Sequence, residues 1–155
     1  MIYINRINNI QIEIQLDVLN IIFDMCKKTE IYEIGGIIIG YYSTDLKKII
    51  ITEFTFPPKD SKKGKTWFIR GVEGLEELLN KKWRKNEYYL GEWHFHPNNS
   101  PEPSFQDKKQ LLSISKSKNF FCPEPIMLIV GGNKKSYIIS LNMILNDKFI
   151  NFFLL

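Results

Sequence analysis

The chain has 155 residues, 44% hydrophobic and 14% aromatic, which suits one domain over residues 1–155 with an ordinary buried core. Its net charge of +4 comes from 21 basic residues, of which only Arg6, Arg70 and Arg84 are arginine. Nucleic-acid surfaces lean on arginine for bidentate and stacking contacts, so no nucleic-acid role is indicated. The longest apolar runs fall far short of a bilayer span and MIYINRINN shows no signal pattern, so a cytoplasmic protein without membrane contact is expected.

In chain order, residues 10–16 (IQIEIQL) alternate apolar and polar, the signature of a strand with one buried face. DVLNIIFDMCKK then places Val18, Ile21, Ile22 and Met25 at helical spacing, with Asp17 able to cap the start. EIGGIIIGYY from Glu33 and KIIITEFTF at 48–56 read as a hairpin joined by STDL. Residues 57–70 concentrate lysine and read either as a solvated loop or as a mobile basic loop beside a binding groove.

VEGLEELLNKKWRKN supports a second helix with a stripe of Val72, Leu75, Leu78, Leu79 and Trp83. YYLGEWHFH is a strand on which Tyr89, Gly91, Trp93 and Phe95 are expected on the core face, with Glu92, His94 and His96 opposite. A third helix is expected from Ser104 through FQDKKQLLSISKS, followed by strands IMLIVGG, SYIISLNMIL and KFINFFLL. The tail FINFFLL reads as a final strand or as an interaction segment. This order predicts an α/β (α+β) sandwich, a mixed curved sheet flanked by helices. Cys26 and Cys122 have no CxxC spacing and read as buried free thiols.

The chemistry concentrates in EWHFHPNNSPEPSFQD, residues 92–107, which holds both histidines of the chain. Their i, i+2 spacing aims two imidazoles in one direction, about 6.6 to 6.8 Å apart along the backbone. A catalytic zinc site takes three protein ligands and keeps one position open. Asp107, on the first turn of the expected third helix, is the candidate third ligand, folded back over the strand by the stiff loop of Pro97, Pro101 and Pro103. Ser104 and Asp107 also fit an S-x-x-D helix start, which satisfies backbone amides without any metal. Glu92 reads as a partner of the histidines or as a solvent-facing acid. Hydrolysis further needs a carboxylate near the metal but not bound to it. Glu33, at the start of the Gly35-Gly36 strand, is one of many acids that could serve.

Glu33 with EIGGIIIG, then HFHP, then seven residues from Pro97 to Pro103, then SFQD, resembles the JAMM motif of the JAB/MPN metalloprotease family: E, HxH, x7, SxxD. The resemblance extends to the order of strands and helices and implies the JAB/MPN, cytidine deaminase-like fold. It implies Zn2+ held by His94, His96 and Asp107, Glu33 as general acid/base and Ser104 as oxyanion stabiliser. Family members remove ubiquitin or ubiquitin-like proteins from conjugates, so the C-terminal tail of such a protein is the implied substrate. The compact length and GEWHFHP resemble bacterial deconjugating peptidases, including those of antiphage cyclic-oligonucleotide systems. The implied partners there are a cyclic-oligonucleotide synthase and an E1/E2-like enzyme. Sulfur-carrier adduct hydrolases and non-catalytic MPN scaffolds are the alternatives within the resemblance.

Overall fold

A computed structural model describes residues 1–29 and 31–155. It opens with β1 (Ile2–Asn5) and β2 (Ile10–Ile14), an antiparallel pair. Four residues are too few for a periodicity to stand out, and β1 lies outside every element expected from sequence. α1 (Leu16–Thr29) buries Leu19, Ile22, Met25 and Cys26, while Ile21 is 48% exposed. The buried stripe is therefore rotated from the expected one: α1 is apolar on more than one face, so spacing alone permits either choice.

β3 (Ile34–Tyr42) and β4 (Lys48–Phe54) form the expected antiparallel hairpin, and β4 runs parallel to β2. Within the lysine-rich stretch, β5 (Lys62–Lys63) and β6 (Phe68–Ile69) make a small separate hairpin. α2 (Leu75–Trp83) carries Leu75, Leu78, Leu79 and Trp83 of the expected stripe and buries none of them fully, whereas Val72 precedes the helix and is exposed. It leads into β7 (Tyr88–Pro97), α3 (Phe105–Lys116), β8 (Ile126–Asn133), β9 (Ser136–Leu145) and β10 (Lys148–Leu154). The segment FINFFLL is thus a strand, β10, paired with β1 on one side and β9 on the other.

Eight strands close on themselves in the order β1-β10-β9-β8-β7-β3-β4-β2. The mixed curved sheet expected from sequence is a barrel, and the fold is α+β. Successive strand residues point to opposite faces, and β8 shows how the two faces are used. Leu128 and Val130 share a buried cluster with Ile12, Ile51, Trp93, Phe95 and the α1 residues Leu19 and Ile22. Met127 and Ile129 instead join Leu111 of α3 and Ile144. One helix therefore closes each face. No helix among the described residues is long and apolar enough to cross a membrane.

β7 lies inside the sheet, antiparallel to β3 and parallel to β8. Its register against β3 shifts between Ile38, opposite Gly91, and Ile39, opposite Tyr89, leaving Leu90 without a partner in that ladder. This bulge inverts the alternation at its N-terminal end. Leu90, not Tyr89, joins Trp93 and Phe95 in the core, whereas the Tyr89 hydroxyl reaches Glu92 on the other face at 2.9 Å. The expected core place of Tyr89 is corrected accordingly. Gly91 sits at the bulge with φ of 149°, and a Cβ there would lie 1.8 Å from the Ile126 carbonyl oxygen. Gly91→Ala should destabilise the protein by at least about 2 kcal/mol, given the usual cost of a strained backbone and of overpacking. Urea unfolding would measure the loss, and an unchanged midpoint would refute the bulge geometry.

Candidate active site

Glu92, His94 and His96 pair laterally with Met127, Ile129 and Gly131 of β8, so all three face the side covered by α3. Proline and asparagine fill the loop that follows, and Ser104 then starts α3 as its N-cap. The Ser104 N–H and hydroxyl both donate to Asp107 Oδ2, at 2.7 and 2.6 Å, and the Asp107 N–H donates back to Ser104 Oγ at 3.1 Å. This reciprocal capping box satisfies otherwise unpaired amides of the first turn. It also fixes the carboxylate, which is turned inward and only 7% exposed.

The sequence-selected residues meet here. His94 Nδ1 lies 3.1 Å from Asp107 Oδ1, and His96 Nε2 lies 3.5 Å from Asp107 Oδ2. Glu33 stands just before β3; its strand pairs Ile34 with Phe95 and Gly35 with His94, and that register continued one step sets Glu33 across from His96. Glu33, His94, His96, Ser104 and Asp107 line one cleft of about 380 Å³. Gly35 permits the close approach, since a Cβ would fall 2.3 Å from the Trp93 carbonyl oxygen and 2.8 Å from the His94 ring.

Electrostatics distinguish the two carboxylates. Burial pushes the Glu33 carboxyl up to about 7, helped by the Asp107 charge and opposed by His94. Burial also acts to raise Asp107, but hydrogen bonds from His94 and Ser104 outweigh it and hold that carboxyl down to about 2. One acid is thus a permanent anion and the other is poised to exchange a proton near neutrality.

Among the described residues no three His, Cys, Asp or Glu side chains are spaced as a finished metal cage; instead Asp107 contacts both His94 and His96 directly. Their donor chemistry nonetheless fits a divalent cation. The Ser100 carbonyl can only accept, so at 3.3 Å it takes the His96 Nδ1–H. Burial lowers the pKa of His96, and the neutral ring then turns the Nε2 lone pair toward an ionised carboxylate oxygen. Two electron-rich atoms 3.5 Å apart are close to the roughly 3.3 to 3.4 Å that separates tetrahedral ligands held at about 2.0 to 2.1 Å from zinc. His94 gives its Nδ1–H to Asp107, and its buried Nε2 has no hydrogen-bond partner. His96 is thus oriented through Nδ1 by a backbone carbonyl, the usual second contact of a ligating histidine, whereas the Nδ1 of His94 meets Asp107 itself, so the His94 ring would turn for all three side chains to reach one ion.

The cleft's other wall comes from within residues 57–70, which the sequence leaves open between a solvated loop and a mobile basic loop beside a binding groove, without singling out any side chain there. Lys65, Trp67 and Phe68 of the β5–β6 hairpin line it, and Phe68 meets the His94 ring edge to face at 6.0 Å. The hairpin is held by the Glu33 N–H, which donates to the Gly64 carbonyl at 2.9 Å, and by Arg70, whose Nε donates to both oxygens of Glu92 at 3.0 and 2.8 Å. Glu92 is fully buried. Its hydrogen-bond partners are Arg70 and Tyr89 rather than a histidine or solvent, as the two sequence readings required, and it is the inner half of an ion pair. The signal available was the rarity of arginine in this chain.

The chain matches, over residues 15–142, the family described as prokaryotic homologs of the JAB domain. It is 48% identical over 108 residues to a protein named CD-NTase/cGAS isopeptidase from Enterobacter hormaechei subsp. hoffmannii, covering 70% of this chain and 60% of that one. It is also 28% identical over 110 residues to a probable metalloprotease, y4qB, from Sinorhizobium fredii, covering 68% and 66%. The chain thus spans less than two thirds of the length of these relatives. The solution structure of the Desulfitobacterium hafniense protein DSY2949 superposes with a TM-score of 0.67 at 14% identity, over 90% of this chain and 88% of the other, which concerns the fold alone. With the matched stretch running from α1 through the histidine strand to β9, the chain belongs to the prokaryotic JAB family.

Two outcomes follow for the site. Glu92→Leu leaves Arg70 buried without a counter-charge and should cost about 3 to 5 kcal/mol, read from denaturant unfolding; a loss below about 1 kcal/mol would mean that the pair does not anchor the hairpin. Glu33 has a folded pKa of about 7 against an ordinary 4.5, so its contribution is fully present below pH 4.5 and is lost as pH rises through 7. In chelator-treated protein, Glu33→Gln should melt above the parent at pH 8, the gap closing by pH 4.5. A pH-independent gap would contradict the burial of that carboxyl.

Proposed function

We propose that the chain is a single-domain, zinc-dependent isopeptidase that hydrolyses the bond after the C-terminal tail of a ubiquitin-like or similarly conjugated protein. The observation that carries this reading is the half-buried Glu33, whose carboxyl is pushed up to about 7 by burial, in the same cleft as two imidazoles and the Asp107 carboxylate. His94, His96 and Asp107 would hold the ion. Zinc so bound supplies Lewis-acid activation of a water and of the scissile carbonyl.

The chain's own residues do the rest. Glu33 accepts a proton from the attacking water as the water oxygen bonds to the scissile carbonyl carbon and the carbonyl becomes an oxyanion; the carbonyl then re-forms, the C–N bond breaks, and Glu33 gives the proton to the departing amine nitrogen. A carboxyl near pH 7 can do both, since it gives up the proton as readily as it takes it. The Ser104 hydroxyl rotates from Asp107 Oδ2 to donate to the developing oxyanion, while the Ser104 N–H keeps that carboxylate in place. Phe68 and Trp67 cover the histidine side and limit water around the reacting bond.

The relatives named CD-NTase/cGAS isopeptidase support a cyclic-oligonucleotide synthase as the conjugated partner, in bacterial antiviral defence. The test is a synthase joined through its C-terminal tail to a reporter protein, incubated with the zinc-loaded chain. Cleavage at that junction is expected, with chelation abolishing it. Glu33→Gln should lower the rate about 10² to 10⁴-fold with zinc content unchanged, whereas His96→Ala should lose the zinc. Full activity of Glu33→Gln, or purified protein that takes up no zinc, would overturn the assignment.

A further inference from the structure

The β5–β6 hairpin carries charge that the hydrolytic chemistry does not use. Lys59, Lys62, Lys63 and Lys65 fall within seven residues and are all exposed. Among the described residues none of the four is within ion-pair distance of a carboxylate; Lys63 instead lies over the Tyr32 ring at 5.5 Å. The nearest acid in sequence, Asp60, accepts the N–H groups of Val72 and Glu73, each at 3.0 Å.

These charges are presented on a fixed element. The Arg70–Glu92 pair clamps one end, Gly71 N–H donates to Ser61 Oγ at 2.9 Å across the base, and the tip is tied to Glu33 through Gly64. The Trp67 indole packs against the tip, where a Cβ at Gly64 would lie only 2.2 Å from its Nε1. Lys65 and Glu33 line the same cleft. A chain segment that sets its scissile bond between Glu33 and Asp107 therefore passes the Lys65 side of the cleft, with Lys62 and Lys63 on the adjoining strand of the same hairpin.

Resting on the isopeptidase reading, we propose that the hairpin selects substrates carrying an acidic stretch beside the scissile bond. Four positive charges with no carboxylate partner among the described residues attract carboxylates and repel a basic tail, and their effects on encounter add. Peptide carboxylates suit this surface better than nucleic acid does. It is built of lysine alone, and the arginine of the hairpin, which could pair bidentately or stack on bases, is buried against Glu92.

The experiment compares three reporter fusions identical except for four positions beside the junction, made acidic, neutral or basic. With zinc-loaded protein in 50 mM salt, kcat/KM should fall at least tenfold from acidic to basic, through KM, and the difference should shrink at 300 mM. Lys62→Glu/Lys63→Glu/Lys65→Glu should invert the order. A fluorescent acidic peptide binding to Glu33→Gln protein, measured by anisotropy, gives the answer without turnover: its affinity should drop at least tenfold in the lysine-reversed background. Equal rates on the three fusions, an order unchanged by the reversal, or a single-stranded oligonucleotide displacing the peptide as well as an equally charged acidic peptide would overturn the inference. Loss of all cleavage with peptide binding intact would strike the isopeptidase reading alone.

Discussion

The cleft depends on one constraint, the two-sidedness of β7. An inner strand must fill a core with one set of side chains and can use only the alternate set for chemistry. Trp93 and Phe95 fill the barrel, with the Trp93 indole N–H donating to the Thr55 carbonyl at 3.0 Å, and their rigidity holds the alternate residues Glu92, His94 and His96 in place. The bulge at Leu90 sets the phase. Were the pairing unbulged, Tyr89 would turn inward and the contact that helps seat Glu92 would be lost.

Beside that strand, two short contacts bring in residues far away in sequence. The capping box delivers Asp107 because a helix start and a site share a carboxylate. The hairpin wall arrives because a largely buried arginine, Arg70, reaches Glu92, the acid on the histidine face of β7. Both economise on structure: a group needed for folding also positions the cleft. The costs differ, since a cap stands near water and a buried ion pair surrenders hydration that only a well-made geometry returns.

Local features were the legible ones. The HxH spacing, the S-x-x-D helix start and the strand alternation each sit within a few residues, and short-range rules capture them. Glu33 is 61 residues from His94, and no periodicity selects it among the acids; only the motif resemblance did. The Leu90 bulge was hidden because Tyr88, Tyr89 and Leu90 are all plausible on a buried face, so nothing in the pattern marks the unpaired residue. The β5–β6 hairpin has two residues per strand, below any periodicity, and its anchor pairs positions 70 and 92 across an intervening helix. Glu92 shows the general difficulty: an acid on a strand face reads as exposed until its partner is found.

The double duty of Ser104 and Asp107 has an evolutionary consequence. On the proposed hydrolytic reading, a descendant without that activity would keep the histidines only for their packing against Phe68 and their contacts with Asp107 and Ser100, and their ligating nitrogens would be free to drift. It would still need a start for α3, whose Leu111 covers the outer face of the sheet. Serine and aspartate would therefore persist as fossils of the lost chemistry. In a degenerate copy their survival says nothing about activity, and the imidazole pair is the character that dates the loss.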